Sequence, residues 1–349
     1  MPIRNETASD RYSAASGLAS AIGTSAAQYG IDIIPICRAL DIDPATFSDL
    51  TGRISLDRLC RLMETCALIA NDEAFGLKTA DHFRPGATGP YGYGLITAPT
   101  ALDFFRFMGD HEQYVSEASF AKLTINEHGA ENVWTYSPLI VKRDQFVDMG
   151  TALLIARLHP ILGSSIEQVE IGLERHKPKN AALYREKLTK KVSFGKRINS
   201  IRLPPELFSR ANPNADPQLF RLMDLQCRTL HTSLSKDRDF VTQLKDYLLT
   251  RVSESAISLA EVADYFHMSE RTLQRRLAEN ETSLNDLRDD IRRELADRLL
   301  SESELSAGEI AHRLGYSAPS AFTRSTLRWF GKTPRDYRKH AAGDGPTIM

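Results

Sequence analysis

Apolar positions recur every three to four residues through residues 18–68, broken at Pro35, Pro44 and Gly52, which predicts a run of short helices. Ser55 stands where the helix carrying Leu59, Leu62 and Ile69 begins and is read as its cap. Gly86, Gly89, Pro90, Gly92 and Gly94 then predict a tight structural loop rich in backbone-permissive residues. A helix is expected near residues 101–114. Two strand-like runs follow, 120–126 and 132–137, flanking His128-Gly129 in the pattern of a hairpin. A long apolar helix over 144–162 and strands around 168–173 and 200–203 complete a mixture that reads as an α+β domain.

Beyond the prolines of residues 212–217 only helix signals remain, so a change of architecture is expected near 217–240. Ser258-Leu-Ala-Glu261 and Ser306-Ala-Gly-Glu309 both fit the capping box, in which the serine takes an orphan amide and the glutamate reaches back. Ser283 and Thr333-Pro334 mark two more helix starts. Between the boxes runs a repeat of 48 residues: Val262-Ala263 answers Ile310-Ala311, Phe266 answers Leu314 and Ser269 answers Ser317. Each copy reads as a short helix, a tight turn and a second helix, the outline of a helix-turn-helix. Leu284, Leu287, Ile291, Leu295 and Leu299 make the connecting segment one amphipathic helix. About 18 residues at 1.5 Å give a rod of roughly 27 Å, against about 34 Å between successive major grooves on one face of B-DNA. Such a rod can present two recognition helices to one face of a duplex.

Composition alters this picture only locally. The 349 residues suit about two domains, and 42% hydrophobic with 26% charged residues is ordinary for a globular chain. Forty-four basic against 45 acidic residues leave a net charge of -1, which argues neither for nor against nucleic acid. Residues 254–339 are also balanced, with 14 basic and 15 acidic side chains. Within them, however, Arg324, Arg328, Lys332, Arg335, Arg338 and Lys339 face only Asp336, while Asp286, Asp289, Asp290, Glu294 and Asp297 gather on the rod. One basic and one acidic face suit a DNA-docking module. Cys37, Cys60, Cys66 and Cys227 include no C-x-x-C pair and are expected as buried reduced thiols. Neither a signal peptide nor a membrane span is expected, so the chain is placed in the cytoplasm.

Enzymatic chemistry finds little support. Asp81, His82, Asp110, His111 and Glu112 lack metal-ligand spacing, and His111 and Glu112, adjacent on a helix, point apart. No G-x-S-x-G elbow or P-loop occurs, and Gly89, Gly92 and Gly94 lack the flanking strand of a dinucleotide fingerprint. No catalytic residue, cofactor or metal is assigned. A ligand pocket is the better reading of the aromatic residues in this part of the chain. Tyr91, Tyr93, Phe104 and Trp134 are the candidates to line it.

The C-terminal residues resemble the AraC/XylS family of bacterial transcription regulators. Matching motifs are Leu259-Ala-Glu-Val-Ala263, Ser269-Glu-Arg-Thr-Leu-Gln-Arg-Arg-Leu277, Ile310-Ala-His-Arg-Leu-Gly-Tyr316, Phe322-Thr-Arg324, Arg328-Trp-Phe-Gly331 and Thr333-Pro-Arg-Asp-Tyr-Arg338. The resemblance implies base contacts at Arg271, Gln274 and Arg275 and at Ser320, Ala321 and Arg324. Arginine suits guanine and glutamine adenine. Phosphate contacts fall on Ser269, Thr272, Ser317, Arg328, Lys332 and Arg335. Thr326 and Leu327 depart from the family's usual Phe-Lys, and Glu281 stands where glycine is common.

The front of the chain resembles the sensor domain of the ornithine-utilisation-regulator subgroup, through Gly86-Ala-Thr-Gly-Pro-Tyr-Gly-Tyr-Gly-Leu95, residues 97–105 and Leu203-Pro-Pro-Glu-Leu-Phe208. Small polar residues read as flexible ends at the N-terminus (1–17) and C-terminus (341–349), and between them the resemblance implies a ligand-sensing and dimerisation domain (18–216), a linker helix region (217–239) and a double helix-turn-helix DNA-binding domain (240–340). The function implied is that of a homodimeric, metabolite-controlled regulator, an activator, binding promoter DNA and RNA polymerase. Its effector would be an amino acid or amine. The readings set against it are a metabolite-binding enzyme with an accessory helical module and a ligand-independent architectural DNA binder.

Overall fold

The computed structural model describes residues 10, 12–49, 52–236, 239–254 and 257–343. The chain divides into two compact units, one ending at Lys236 and the other beginning at Asp237 and also taking in Ser137–Val141.

The first unit is α+β. Its main sheet has five strands in the order Ser119–Asn126, Gly129–Tyr136, Asn199–Leu203, Glu170–Gly172, Val192–Ser193. The first two form the expected hairpin, paired from Ser119 with Tyr136 to Asn126 with Gly129. Asn199–Leu203 runs antiparallel to both neighbours, and only the short edge pair of Ile171 with Val192 is parallel. Helix Asp144–Leu162 buries Phe146, Met149, Ala152, Ile155 and Leu158 beside Leu153 and Leu162. Over residues 144–168 this stretch has the length and hydropathy of a membrane span, but it is a core helix with 61% of its apolar window buried. All four cysteines are buried and free.

Three expectations differ from the observed structure. Residues 12–17, read as part of a flexible end, are ordered: Ser13–Ala15 pairs antiparallel with Arg53–Ser55, and Tyr12, Ala14 and Leu18 are buried. Small polar residues gave no apolar period there, and the partner strand 40 residues away supplies the order. Residues 1–9 and 11 of that expected tail lie outside the described residues. At the other end Ala341–Gly343 completes helix Pro334–Gly343, while 344–349 lie outside the described residues.

The second difference is the glycine-rich segment, which is a short turn followed by helix Gly89–Thr97. Pro90 suits the first helical turn, and Gly94 is required by packing, since a Cβ there would come 2.0 Å from the Phe107 ring. The intrinsic cost of helical glycine, about 1 kcal/mol, is set against that close approach. Third, the segment expected as a linker helix is a helix, Pro217–Lys236, but it belongs to the first unit, packed on helices Gly89–Thr97 and Ala101–Val115. Phe220 stacks on Phe107 at 5.3 Å, and His111 Nε2 lies 2.7 Å from Asp224 Oδ1.

Among the described residues the second unit is helical apart from its turns. Phe240–Thr250 precedes two short helix pairs, Leu259–Tyr265 with Glu270–Glu279 and Ala307–Arg313 with Pro319–Phe330. The 19-residue helix Leu284–Glu302 stands between the pairs, its stripe of Leu287, Ile291, Leu295 and Leu299 buried. It packs on Phe240–Thr250, both members of the second pair and Pro334–Gly343. Both capping boxes are formed: Ser258 accepts from Glu261 N at 3.1 Å and Ser306 from Glu309 N at 3.2 Å, with each glutamate accepting at 2.7 Å from its serine's amide.

Candidate functional site

In the second unit each pair's second helix has one inward and one outward face. Leu273 and Leu277 are buried, which turns Arg271, Gln274 and Arg275 to solvent on the i, i+3, i+4 face. In the other copy Phe322 and Thr326 are buried, leaving Ser320 and Arg324 exposed and Ala321 half-buried. Thr326 fills the core position with its hydroxyl donated to Thr323 O at 2.9 Å, whereas Leu327 lies exposed where the family has lysine.

The residues expected at phosphates divide. Ser269 caps its helix, accepting from Thr272 N at 3.2 Å, with the Thr272 hydroxyl 2.9 Å away. Ser317 and Arg335 are exposed and Lys332 half-buried. Arg328 pairs with Asp289 on the central helix, and Trp329 Nε1 donates to the other oxygen of Asp289 at 2.9 Å. An arginine expected at a phosphate is therefore also a tie between helices. Arg275 is tied more loosely, with Nε 3.6 Å from Glu279 Oε1, and Arg276 stacks over the Phe240 ring at 5.2 Å.

In the first unit a cavity of about 60 Å³ opens where three elements meet. Their periodicities build it. Met108 and Glu112 come from one helix face at a spacing of four and Ser116 from that helix's extended C-cap, Asn132, Trp134 and Tyr136 from alternate strand positions, and Val147, Thr151, Leu154 and Arg157 from the long apolar helix. Tyr91 closes one wall.

Of the four aromatic candidates, Tyr91 and Trp134 line this cavity, and Tyr93 and Phe104 do not. Tyr93 is 43% exposed because two residues along a helix turn a side chain to the opposite face, a relation that a loop would not impose. Phe104 is fully buried and packs on Phe105, ring centroids 6.2 Å apart. Sequence reasoning missed Glu112, Asn132 and Arg157. Glu112 Oε1 accepts from Ser119 Oγ, while Oε2 is shut off from solvent without a partner. Burial pushes its carboxyl up to about 7, although the hydrogen bond from Ser119 pulls it down. Arg157 Nη2 donates to Thr88 Oγ1 at 2.8 Å, and burial holds its guanidinium below the ordinary range.

An α+β unit with an internal cavity, followed by capped helix pairs whose outward faces carry arginine, defines a DNA-binding transcription regulator of the helix-turn-helix class. Residues 30–212 match the "Arabinose-binding domain of AraC transcription regulator, N-term", and residues 262–340 match "Helix-turn-helix domain". The chain belongs to the AraC family of transcription regulators.

It is 25% identical to the Ornithine utilization regulator of Pseudomonas aeruginosa, over 90% of this chain and 92% of that one. It is 28% identical to the HTH-type transcriptional regulator VirS of Mycobacterium tuberculosis, over 91% and 94% respectively. Among solved structures, transcriptional regulator CdpR from Pseudomonas aeruginosa matches at 21% identity and a TM-score of 0.41, covering 90% of this chain and 97% of its own. The relatives are named as regulators, in keeping with the lack of an enzymatic motif.

Proposed function

We propose that the protein is a cytoplasmic, sequence-specific activator that reads promoter DNA through two helix-turn-helix units joined by helix Leu284–Glu302. The observation that carries this reading is the pair of helix-turn-helix outlines, 48 residues apart, on either side of a 19-residue rod. At roughly 28 Å the rod is commensurate with the groove repeat of about 34 Å. Arg271, Gln274 and Arg275 then read bases in one groove and Ser320, Ala321 and Arg324 in the next. Ser269, Thr272, Ser317, Arg328, Lys332 and Arg335 hold phosphates.

The first unit is the sensor, with Tyr91 and Trp134 contacting a small metabolite. The amino-acid name of the Pseudomonas aeruginosa relative favours an amino acid or amine. The ligand acts by binding one of two arrangements better than the other. Two copies associate through helix Pro217–Lys236, whose Leu222, Leu225 and Leu230 are exposed, and the dimer engages RNA polymerase.

Arg275→Ala and Arg324→Ala should each cost about 1–3 kcal/mol at the operator and relax specificity at one base position. A gel-shift titration on promoters of adjacent genes measures this. Unchanged specific binding in both variants would remove these helices from the reading role.

A further inference from the structure

The cavity of the first unit holds three buried oxygens that its own side chains leave unpaired: Glu112 Oε2, Ser116 Oγ and Asn132 Oδ1. Ser116 and Asn132 are each only 1% exposed. Buried polar atoms in native proteins are nearly always hydrogen-bonded, and an unpaired carboxylate oxygen is the costliest of these to leave alone. A primary ammonium is the complement, with three donors, no acceptor and a positive charge. The rings of Tyr91, Trp134 and Tyr136 on the same walls favour a cation as well.

The opposite charge lines the same cavity. Arg157 gives one nitrogen to Thr88 and is ion-paired with no acidic side chain among the described residues. Tyr91 lines the same cavity and lies close enough to both Glu112 and Arg157 to feel their opposite charges. A cavity of about 60 Å³ has room for several waters or a short ligand.

We infer that the cavity binds a short amino acid lengthwise, its ammonium on Glu112, Ser116 and Asn132 and its carboxylate on Arg157. This rests on the first unit being the sensor and adds the ligand's charge pattern and direction. The cavity's burial of Glu112 disfavours its charged form, and an ammonium beside it restores that form.

The test uses the full-length protein, titrated calorimetrically with three series of matched chain length: ω-amino acids, n-alkylamines and n-alkanoates. Promoter footprints are recorded alongside. Amino acids should bind best, amines next and alkanoates least. Glu112→Gln, which keeps the shape, should weaken the ammonium-bearing series roughly ten- to hundredfold, the worth of a hydrogen bond to a charged group. Its ligand-free melting temperature should be no lower than the parent's, because a buried charge is removed. Arg157→Gln should bring amino acids and amines to similar affinity.

Binding by alkanoates alone, with the footprint still altered, overturns the ammonium seat and leaves control by a small molecule standing. Binding by amino acids with an unaltered footprint keeps the seat and overturns control. No binding by any ammonium-bearing compound, or ammonium binding unaffected in Glu112→Gln, overturns the seat.

Discussion

The two helix pairs of the second unit share a plan but make the same turn from different residues. In each, the first helix closes with an amide reaching back five residues, Met268 N to Ala263 O and Tyr316 N to Ala311 O, both at 2.9 Å. That closure needs a left-handed residue just before the donor. The first pair uses His267 at φ 51°, the second Gly315 at φ 74°. A third helix end, after Glu270–Glu279, is closed by Thr282 N to Leu277 O at 3.1 Å with Glu281 at φ 52°. The geometry is conserved between the copies while its cost is not, because only glycine enters this region without strain. Glycine has a further reason at 315, where a Cβ would lie 2.7 Å from Val252 O.

The largest effect expected from breaking this asymmetry is Gly315→Ala. Left-handed strain of about 1–2 kcal/mol adds to the overlap with the Val252 carbonyl, so a loss of about 2 kcal/mol or more is expected in urea unfolding of the second unit. A shift no larger than that of a surface substitution would mean the turn is not packed as described.

This comparison also separates what is legible in the sequence from what is not. The capping serines 258 and 306 and the His128-Gly129 hairpin were readable because cap and turn chemistry acts over a few residues. Strand Ser13–Ala15 depends on Arg53–Ser55, and the helical state of Gly89–Thr97 on Phe107 meeting Gly94, so neither has a local signature. In the cavity, Tyr91 and Trp134 stood out as aromatic. In the sequence Glu112 invites only a metal or acid-base reading, and its place beside Met108 on the cavity wall emerges once strand Gly129–Tyr136 lies against that helix. Arg157 did carry a signal: it is the one arginine in the apolar helix Asp144–Leu162.

The second helices of the two pairs differ in how firmly their arginines are held, and Arg328 is the residue that tests this. Its pair with Asp289 is exposed, 63% and 46% by side chain, and such pairs contribute about 0–1 kcal/mol. Arg328→Ala should therefore change stability little, yet weaken DNA binding evenly across sequences and reduce the slope of log affinity against log salt by about 1. Asp289→Ala, which frees the arginine, should leave that slope in place. If Arg328→Ala keeps the full salt slope, the side chain serves only to tie the second pair to the central helix.

The smallest effects come from giving the other two turns the residue that Gly315 already has. His267→Gly and Glu281→Gly relieve left-handed strain, but glycine also loses more freedom on folding, roughly 0.5–1 kcal/mol. The net gain should be about 1 kcal/mol at most. It should be larger at Glu281, since histidine is among the residues enriched at positive φ and glutamate is not. Urea midpoints of the two variants measure the difference directly. A gain at Glu281 alone would show that the first pair tolerates its histidine nearly without cost, leaving the packing of Gly315 against residues 252–254 as the real distinction between the copies. Equal losses at both sites would mean that His267 and Glu281 make contacts worth more than the strain, and that the three turns are alike only in backbone.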